Sequence, residues 1–149
     1  MGEDVITTPT GEVTRFLATT ATADNRVFVS ESFLPAGASA PMHYHRHDEE
    51  SFYVLSGDME FDIVANPESK DPPPTGPVQT IKAGRGTFVT AAPFVPRAFR
   101  AITDSKVLIV NAPGGPAEAF LRDIASLDHE PNDDDAQRFA KEYGIHILQ

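Results

Sequence analysis

The stretch GASAPMHYHRHDEESFYVLSG, residues 37–57, sets His43 and His45 two positions apart and follows them with Glu50 five residues later. In an extended segment successive side chains point to opposite faces, so the two imidazoles project to the same side. The charged run at residues 46–49 reads as a turn that lets the chain double back, and Glu50 then opens a second strand over residues 50–56. Two imidazoles and a carboxylate can therefore converge on one point inside an antiparallel sheet. Neutral imidazole and carboxylate are the ligand types of the two-histidine, one-carboxylate metal site.

The spacing Gly37-x5-His43-x-His45-x4-Glu50-x6-Gly57 resembles the first signature motif of the cupin superfamily at every fixed position. A bare His-x-His is usually a pair of surface histidines; the flanking glycines and the glutamate make this pattern far more specific. The resemblance continues through residues 88–99, the strand at 106–110, the turn Pro113-Gly114-Gly115 with a helix ending Phe120-Leu121-Arg122, and the closing Ala140-Lys141-Glu142-Tyr143-Gly144. These segments are similar to single-domain cupins of the quercetin-dioxygenase-like group. The resemblance covers roughly residue 12 to the C-terminus. It implies an all-β double-stranded β-helix, the cupin jelly-roll barrel, with C-terminal helices packed outside, and it implies a homodimer.

The bulk properties agree with one small domain. The 149 residues suit a single domain over 1–149, with a loose N-terminal arm at 1–11 and a helical extension at 116–149. Cysteine is absent, so there is no disulfide, no thiolate nucleophile and no Cys-ligated metal. The formal charge of −10, from 12 basic and 22 acidic residues, argues against binding a phosphate backbone and so against nucleic acid. No apolar run is long enough to span a bilayer, and residues 1–10 lack the basic start and apolar centre of a signal peptide. A cytoplasmic protein with a small-molecule substrate, and no membrane partner, is the expectation.

Along the chain, residues 12–20 and 26–34 read as strands. In the second, Val27, Val29, Glu31 and Phe33 alternate with Arg26, Phe28, Ser30 and Ser32, and neither set is cleanly apolar. The clearest alternation is Met59, Phe61 and Ile63 against Asp58, Glu60 and Asp62, a half-buried strand joined to the preceding one through Gly57-Asp58. Residues 65–77 carry five prolines and no periodicity, which marks a surface loop. Short strands follow at 78–82, 87–91, 97–103 and 106–112. After Pro113-Gly114-Gly115-Pro116 the period changes: Ala117, Phe120, Leu121 and Ile124 share one helix face. A second helix starts near 132–135, where acidic residues suit an N-terminus, and Gly144 ends it, leaving residues 145–148 as a short extended tail. The barrel interior is expected to hold Phe52, Val54, Met59, Phe61, Ile63 and Phe99, with Phe94 at the mouth.

The second cupin motif is degenerate. Family members carry Gly-x5-Pro-x-Gly-x2-His-x3-Asn, in which the histidine is a fourth metal ligand. Here Gly86 and Pro96 keep the register, while Ala92, Phe94, Arg97 and Ala101 stand at the proline, glycine, histidine and asparagine positions. A guanidinium has donors and no lone pair, so Arg97 cannot ligate a metal. Pointing inward it could pair with Glu50 or anchor an anionic substrate group; bent to the rim it would lie in solvent. His47 is expected at the rim, Asp48 and Glu49 in solvent, and His129 and His146 in structural or surface positions.

Three functional readings are open. In the first, His43, His45 and Glu50 hold a divalent metal (Fe, Mn, Ni or Zn), and the resemblance implies dioxygenase-like or cyclase-like chemistry on a small, largely apolar substrate, aromatic or polyketide-like. His45, Glu50 and Arg97 are then the catalytic candidates, with Glu50 as a base on leaving the metal. In the second the metal is absent, and an isomerase or cyclase works by His/Glu acid–base chemistry with Arg97 as anion anchor. In the third the protein binds a small ligand without turning it over.

Overall fold

The computed structural model of the chain describes residues 4–69 and 73–148. Residues 70–72 of the proline-rich loop, and residues 1–3 of the expected arm, lie outside the described residues. Eleven strands and two helices follow one another: β1 (Val5–Thr7), β2 (Val13–Ala18), β3 (Phe28–Leu34), β4 (Ser39–His45), β5 (Glu49–Ser56), β6 (Asp58–Ile63), β7 (Gln79–Gly84), β8 (Phe88–Ala91), β9 (Arg97–Ala101), β10 (Ser105–Ala112), α1 (Ala117–Ala125), α2 (Asp133–Tyr143) and β11 (Ile145–Ile147). They form two antiparallel sheets, ordered β1-β2-β3-β10-β5-β8 and β11-β4-β9-β6-β7. The expected jelly roll is present.

The alternation of β6 decides the core. Met59, Phe61 and Ile63 are buried, and Phe61 meets Phe52 at 5.0 Å and Phe99 at 5.9 Å between ring centroids. Each fully buried side chain of this size contributes about 1.5–3 kcal/mol. The acidic side of β6 is matched across the sheet: Arg100 of β9 stands opposite Glu60 and donates to Glu60 Oε1 and Asp62 Oδ2, both at 2.9 Å. Gly57 makes the β5–β6 turn at φ +85°, and a Cβ there would lie 2.3 Å from the Asp104 carbonyl oxygen. Only glycine satisfies both conditions.

On β3 the inward set is Phe28, Ser30, Ser32 and Leu34. Two of the four are hydroxyls, which is why periodicity alone leaves the buried face undecided. The hydroxyls are used: Ser32 pairs with Thr14 of β2 at 2.8 Å, both fully buried. Phe33 faces outward, 44 % exposed, under the Lys106 ammonium at 4.7 Å.

Two segments are more ordered than the sequence suggests. Within the expected loose arm, Val5–Thr7 pairs with β2, closed by a turn in which Gly11 N–H donates to Thr8 O. The expected tail is β11, which pairs with β4 as Ile145↔His45 and Ile147↔His43. Both strands have three residues, too few for an alternation to be seen.

The helices lie outside the sheets and are fixed at their ends. Asn132 caps α2 in a reciprocal capping box with Asp135, and Gly144 closes it at φ +66°. Asp123 of α1 joins the two, accepting from Arg138 and, at 2.6 Å, from the Tyr143 hydroxyl. At the other end Arg122 holds Asp4, and Glu118 accepts from the Thr20 N–H at 2.7 Å. Helix α1 is thereby clamped over the open side of the barrel, where Ala117 packs on Phe16 and Phe28.

Candidate metal centre and its cavity

Strand β4 carries the two histidines and is held along both edges, by β9 and by β11. His43 and His45 point inward, with ring centroids 5.3 Å apart. Tyr44 between them points out of the barrel, sandwiched by His146 at 4.6 Å and Phe94 at 5.9 Å. Phe94, expected at the mouth, therefore packs behind the histidine strand, with φ +65° where the family motif has glycine. The turn after His45 brings Glu50 to the start of β5, in register with Asn111 of β10 on one side and Ala91 of β8 on the other.

The hydrogen bonds fix which atoms are free. His43 Nδ1 lies 2.7 Å from the Pro41 carbonyl, an acceptor, so it carries the proton. His45 Nδ1 lies 3.0 Å from both Asp48 carboxylate oxygens and is likewise the protonated nitrogen. That leaves Nε2 of each ring as a lone pair, and His45 Nε2 stands 3.6 Å from Glu50 Oε1. Asn111 Nδ2 donates to Asp48 Oδ2 at 2.8 Å and to Glu50 Oε2 at 3.1 Å, joining the two carboxylates through one amide. Glu50 Oε1 is buried and has no hydrogen-bond donor. One ligand atom from each of His43, His45 and Glu50 lies within 4.8 Å of the others.

Asp48 is a correction to the sequence reading. It is 1 % exposed, not solvated, because the turn at 46–48 folds its carboxylate under His45 and against Asn111. Burial alone would raise its pKa, but the hydrogen bonds from His45 and Asn111, with the Arg97 charge, bring it below the ordinary carboxylate value. Glu49, by contrast, is exposed and accepts from Thr90 at 2.7 Å.

Arg97 points inward and is fully buried. Its Nη2 donates to the carbonyls of Ala91 and Ala92 at 3.4 and 3.1 Å, and Nη1 stands 3.5 Å from Glu50 Oε1. Nε and Nη1 have no hydrogen-bond partner. Burial lowers its pKa, while Glu50 and Asp48 oppose that shift, and a guanidinium stays protonated regardless. Two carboxylates, Asp48 and Glu50, thus meet one guanidinium, Arg97. His43 is held neutral: burial, then His45 and Arg97, push its pKa well below the ordinary value.

A divalent metal fits this donor set. The three acceptors converge without hydrogens between them, both imidazoles are oriented by a second acceptor, and carboxylates outnumber the guanidinium. Arg97 beside Glu50 reduces the attraction for a cation and removes the fourth ligand.

The centre opens on a cavity of about 360 Å³, of a size that holds a small organic molecule. His43, His45, Glu50 and Asn111 form its polar end, while Phe28, Phe99 and Ile109 of the barrel face Phe120, Leu121 and Ile124 of α1 across it. The C-terminal extension is therefore a wall of the site. Arg97 is not part of the cavity wall; it stands behind Glu50. The other histidines lie elsewhere. His47 is exposed against Gly144, His129 bonds Asp128 and Asp135 at the start of α2, and His146 stacks on Tyr44 outside the barrel. Two functional residues escape the motif reading, Asp48 and Asn111. Asn111 had a signal: it falls in phase with inward Val107 and Ile109 on β10, where a polar residue needs a reason.

The Cupin domain family matches residues 30–112, more than half of the chain. Among solved structures, KdgF from Halomonas sp. superposes with a TM-score of 0.62 at 16 % identity, covering 77 % of this chain and 90 % of that one. Ectoine synthase from P. lautus gives 0.59 at 15 %, covering 82 % and 80 %. The polyketide cyclase RemF from Streptomyces resistomycificus gives 0.52 at 23 %, covering 70 % and 67 %. At these identities the likeness is one of fold. No curated protein matches the sequence. Among the described residues no helix is long and apolar enough to cross a membrane. On the family match, the two-sheet topology and the placement of the first motif, the chain belongs to the cupin superfamily.

Proposed function

We propose that this cupin is an enzyme that holds a divalent metal through His43, His45 and Glu50 and acts on a small, largely apolar substrate by dioxygenase-like or cyclase-like chemistry. One observation carries the reading: three buried acceptors with their hydrogens turned away converge at the polar end of a largely apolar cavity. A bound metal would act as Lewis acid on a substrate oxygen and, if redox-active, bind dioxygen. The chain's own residues do the rest. Pro41 and Asp48 keep the imidazoles in the ligating tautomer, and Asn111 holds Glu50 by one oxygen so that the other faces the site. Phe120, Leu121 and Ile124 of α1 give the cavity an apolar wall, beside which polar contacts are stronger than in water. Likeness to a polyketide cyclase and to other cupin enzymes supports an enzymatic role.

Metal analysis of the protein purified without chelator, beside His45→Ala, tests the reading. Near-stoichiometric metal that disappears in the variant is the expected result. No metal after reconstitution with Fe(II), Mn(II), Ni(II) and Zn(II) would overturn it. Arg97 favours a second reading, in which catalysis is metal-free: its charge stands 3.5 Å from Glu50 where a ligand would be. In that case the His/Glu pair moves protons and substrates are screened for isomerisation or cyclisation.

We also propose a homodimer through the outer face of the six-stranded sheet, which exposes Leu17, Phe33, Tyr53 and Phe88 at 41–61 %. The outward side of β5 carries Tyr53 and Leu55 beyond the polar Glu49 and Ser51, an apolar half that a covering partner would bury. Light scattering of Tyr53→Glu/Phe88→Glu, expected to be monomeric against a dimeric wild type, decides it.

A further inference from the structure

Two further acids line the cavity that the metal centre does not use, Glu130 in the loop between α1 and α2 and Glu12. Glu12, immediately before β2, lines the same cavity together with Thr8 and Thr10. The strand register places it at the far end. Glu50 and Asn111 share a row with Phe28; Ile109 and Ser30 form the next; Val107, Ser32 and Thr14 form the one after. Asn111 to Val107 is four residues, roughly 13 Å along the strands. Thr14 Oγ1 lies 3.5 Å from Glu12 Oε1, which puts the carboxyl beside this third row.

The Thr14 hydroxyl donates to the Glu12 carboxyl, and the charge that bears on it is that of Glu50. Burial and a facing like charge both disfavour a carboxyl as an anion. Burial, and then the facing charge of Glu50, raise its pKa above the ordinary value against the hydrogen bonds from Ser32 and Thr14. The Glu12 carboxyl can accept a hydrogen bond from a ligand hydroxyl and, when it holds its proton, can also donate one. Phe28, Phe99, Ile109 and the apolar face of α1 supply hydrocarbon wall, and Ser30, Ser39 and Glu130 supply further polar groups.

We propose that Glu12 is a specificity-determining residue that hydrogen-bonds a second oxygen of the ligand, so that the site selects largely apolar molecules bearing an oxygen at each end. One oxygen meets His43, His45 and Glu50, and the other meets Glu12. The proposal rests on the reading of this cavity as the substrate site, and it holds whether or not a metal is present. A ligand lacking the distal oxygen forgoes that hydrogen bond and sets hydrocarbon against a carboxyl oxygen, which is how a polar site rejects the simpler analogue.

The test is fluorescence titration of the full-length protein with two matched pairs: 2,6-dihydroxynaphthalene against 2-naphthol, and 4,4′-dihydroxybiphenyl against 4-phenylphenol. In the wild type at least one diol is expected to bind tenfold or more tightly than its mono-hydroxy partner. Glu12→Leu is expected to erase that ratio by weakening the diol and tightening its mono-hydroxy partner, and Glu12→Gln, which keeps a polar group of the same shape, to restore part of it. A ratio that survives Glu12→Leu overturns the proposal. So does a wild type with no preference in either pair, or with no binding of any of the four. His45→Ala is expected to weaken all four alike and to keep the diol preference; unchanged binding of all four would overturn the contact with the histidine centre, whereas a wild type that holds no metal overturns the metal reading alone.

Discussion

The Nδ1 of His45 faces both oxygens of the Asp48 carboxylate at 3.0 Å, and the pair is almost completely buried. This contact sets the tautomer of a candidate ligand, and Asn111 ties the same carboxylate to Glu50, the third one. Asp48 therefore orients the centre without belonging to it. Asp48→Ala is expected to weaken metal binding by about 10–100-fold, the usual loss when an outer partner of a ligating histidine is removed. Asp48→Asn, which retains an acceptor for the imidazole, is expected to lose less. Competition with a chromophoric chelator measures both, and affinities equal to wild type would show that His45 needs no partner.

Arg97 stands where the family has a ligand, and its charge faces Glu50 at 3.5 Å. Arg97→His removes the charge and adds a lone pair, and is expected to raise zinc affinity tenfold or more. Arg97→Met removes the charge and adds nothing, leaving Glu50 buried beside Asp48 with no cation. Breaking such a pair costs about 3–5 kcal/mol. Saturating zinc is expected to recover much of that loss, because the metal then supplies the missing positive charge. Urea unfolding with and without zinc compares the two, and an Arg97→Met protein as stable as wild type in the absence of metal would contradict the pairing.

Two glycines of the first motif separate backbone conformation from space. Gly37 has φ +88° with nothing within 4 Å of a Cβ, so Gly37→Ala is expected to cost only the left-handed conformation, about 1–2 kcal/mol. Gly57 has φ +85° and a Cβ there would also meet the Asp104 carbonyl at 2.3 Å and Ser105 Oγ at 2.4 Å. The β5–β6 turn must then move away from β10, and Gly57→Ala is expected to cost about 3 kcal/mol or more. Equal losses in the two variants, read from denaturant unfolding, would show that the close approach is unimportant.

The same residues show what a sequence conveys and what it withholds. Strands β4 to β6 are legible because period-two alternation, a His-x-His pair and two glycines agree over one continuous stretch. The convergence of His43, His45 and Glu50 is legible for the same reason: all three lie within eight residues. Asp48 sits in that stretch yet reads as solvated, since a charged run is ordinarily surface. Its burial depends on Asn111, 63 residues away. Arg97 is found by its place in the motif, but its direction depends on the carbonyls of Ala91 and Ala92, which no spacing reveals. The inward face of β3 is obscured by Ser30 and Ser32, which turn a core strand into part of a cavity. Strands β1 and β11 are too short to carry a period, and β11 matters most, because it fixes the free edge of the histidine strand.

Glu12 supplies a prediction in which the sign of a pH dependence decides. Its folded pKa is raised, first by burial and then by Glu50, while the unfolded chain titrates at the ordinary glutamate value near 4.5. Below that value both states hold the proton and the raised pKa has no effect on stability. As pH climbs from 4.5 through the folded pKa, the unfolded state ionises first and folding loses free energy; above the folded pKa the loss is complete and constant. Glu12→Gln keeps the shape and cannot ionise, so it escapes this penalty. The facing groups, Glu50, Thr14 and Ser32, are unchanged in the variant. The stability of Glu12→Gln relative to wild type is therefore expected to rise with pH from about 4.5 upward and then level off, measured by urea unfolding between pH 4.5 and 8. The neighbouring carboxylates held below their ordinary values, Asp48 and Asp62 among them, titrate in the opposite direction but equally in both proteins, so they cancel in the difference. A difference that is flat across the range, or that falls as pH rises, would mean that Glu12 ionises as easily in the fold as in water, and that burial and Glu50 do not raise its pKa.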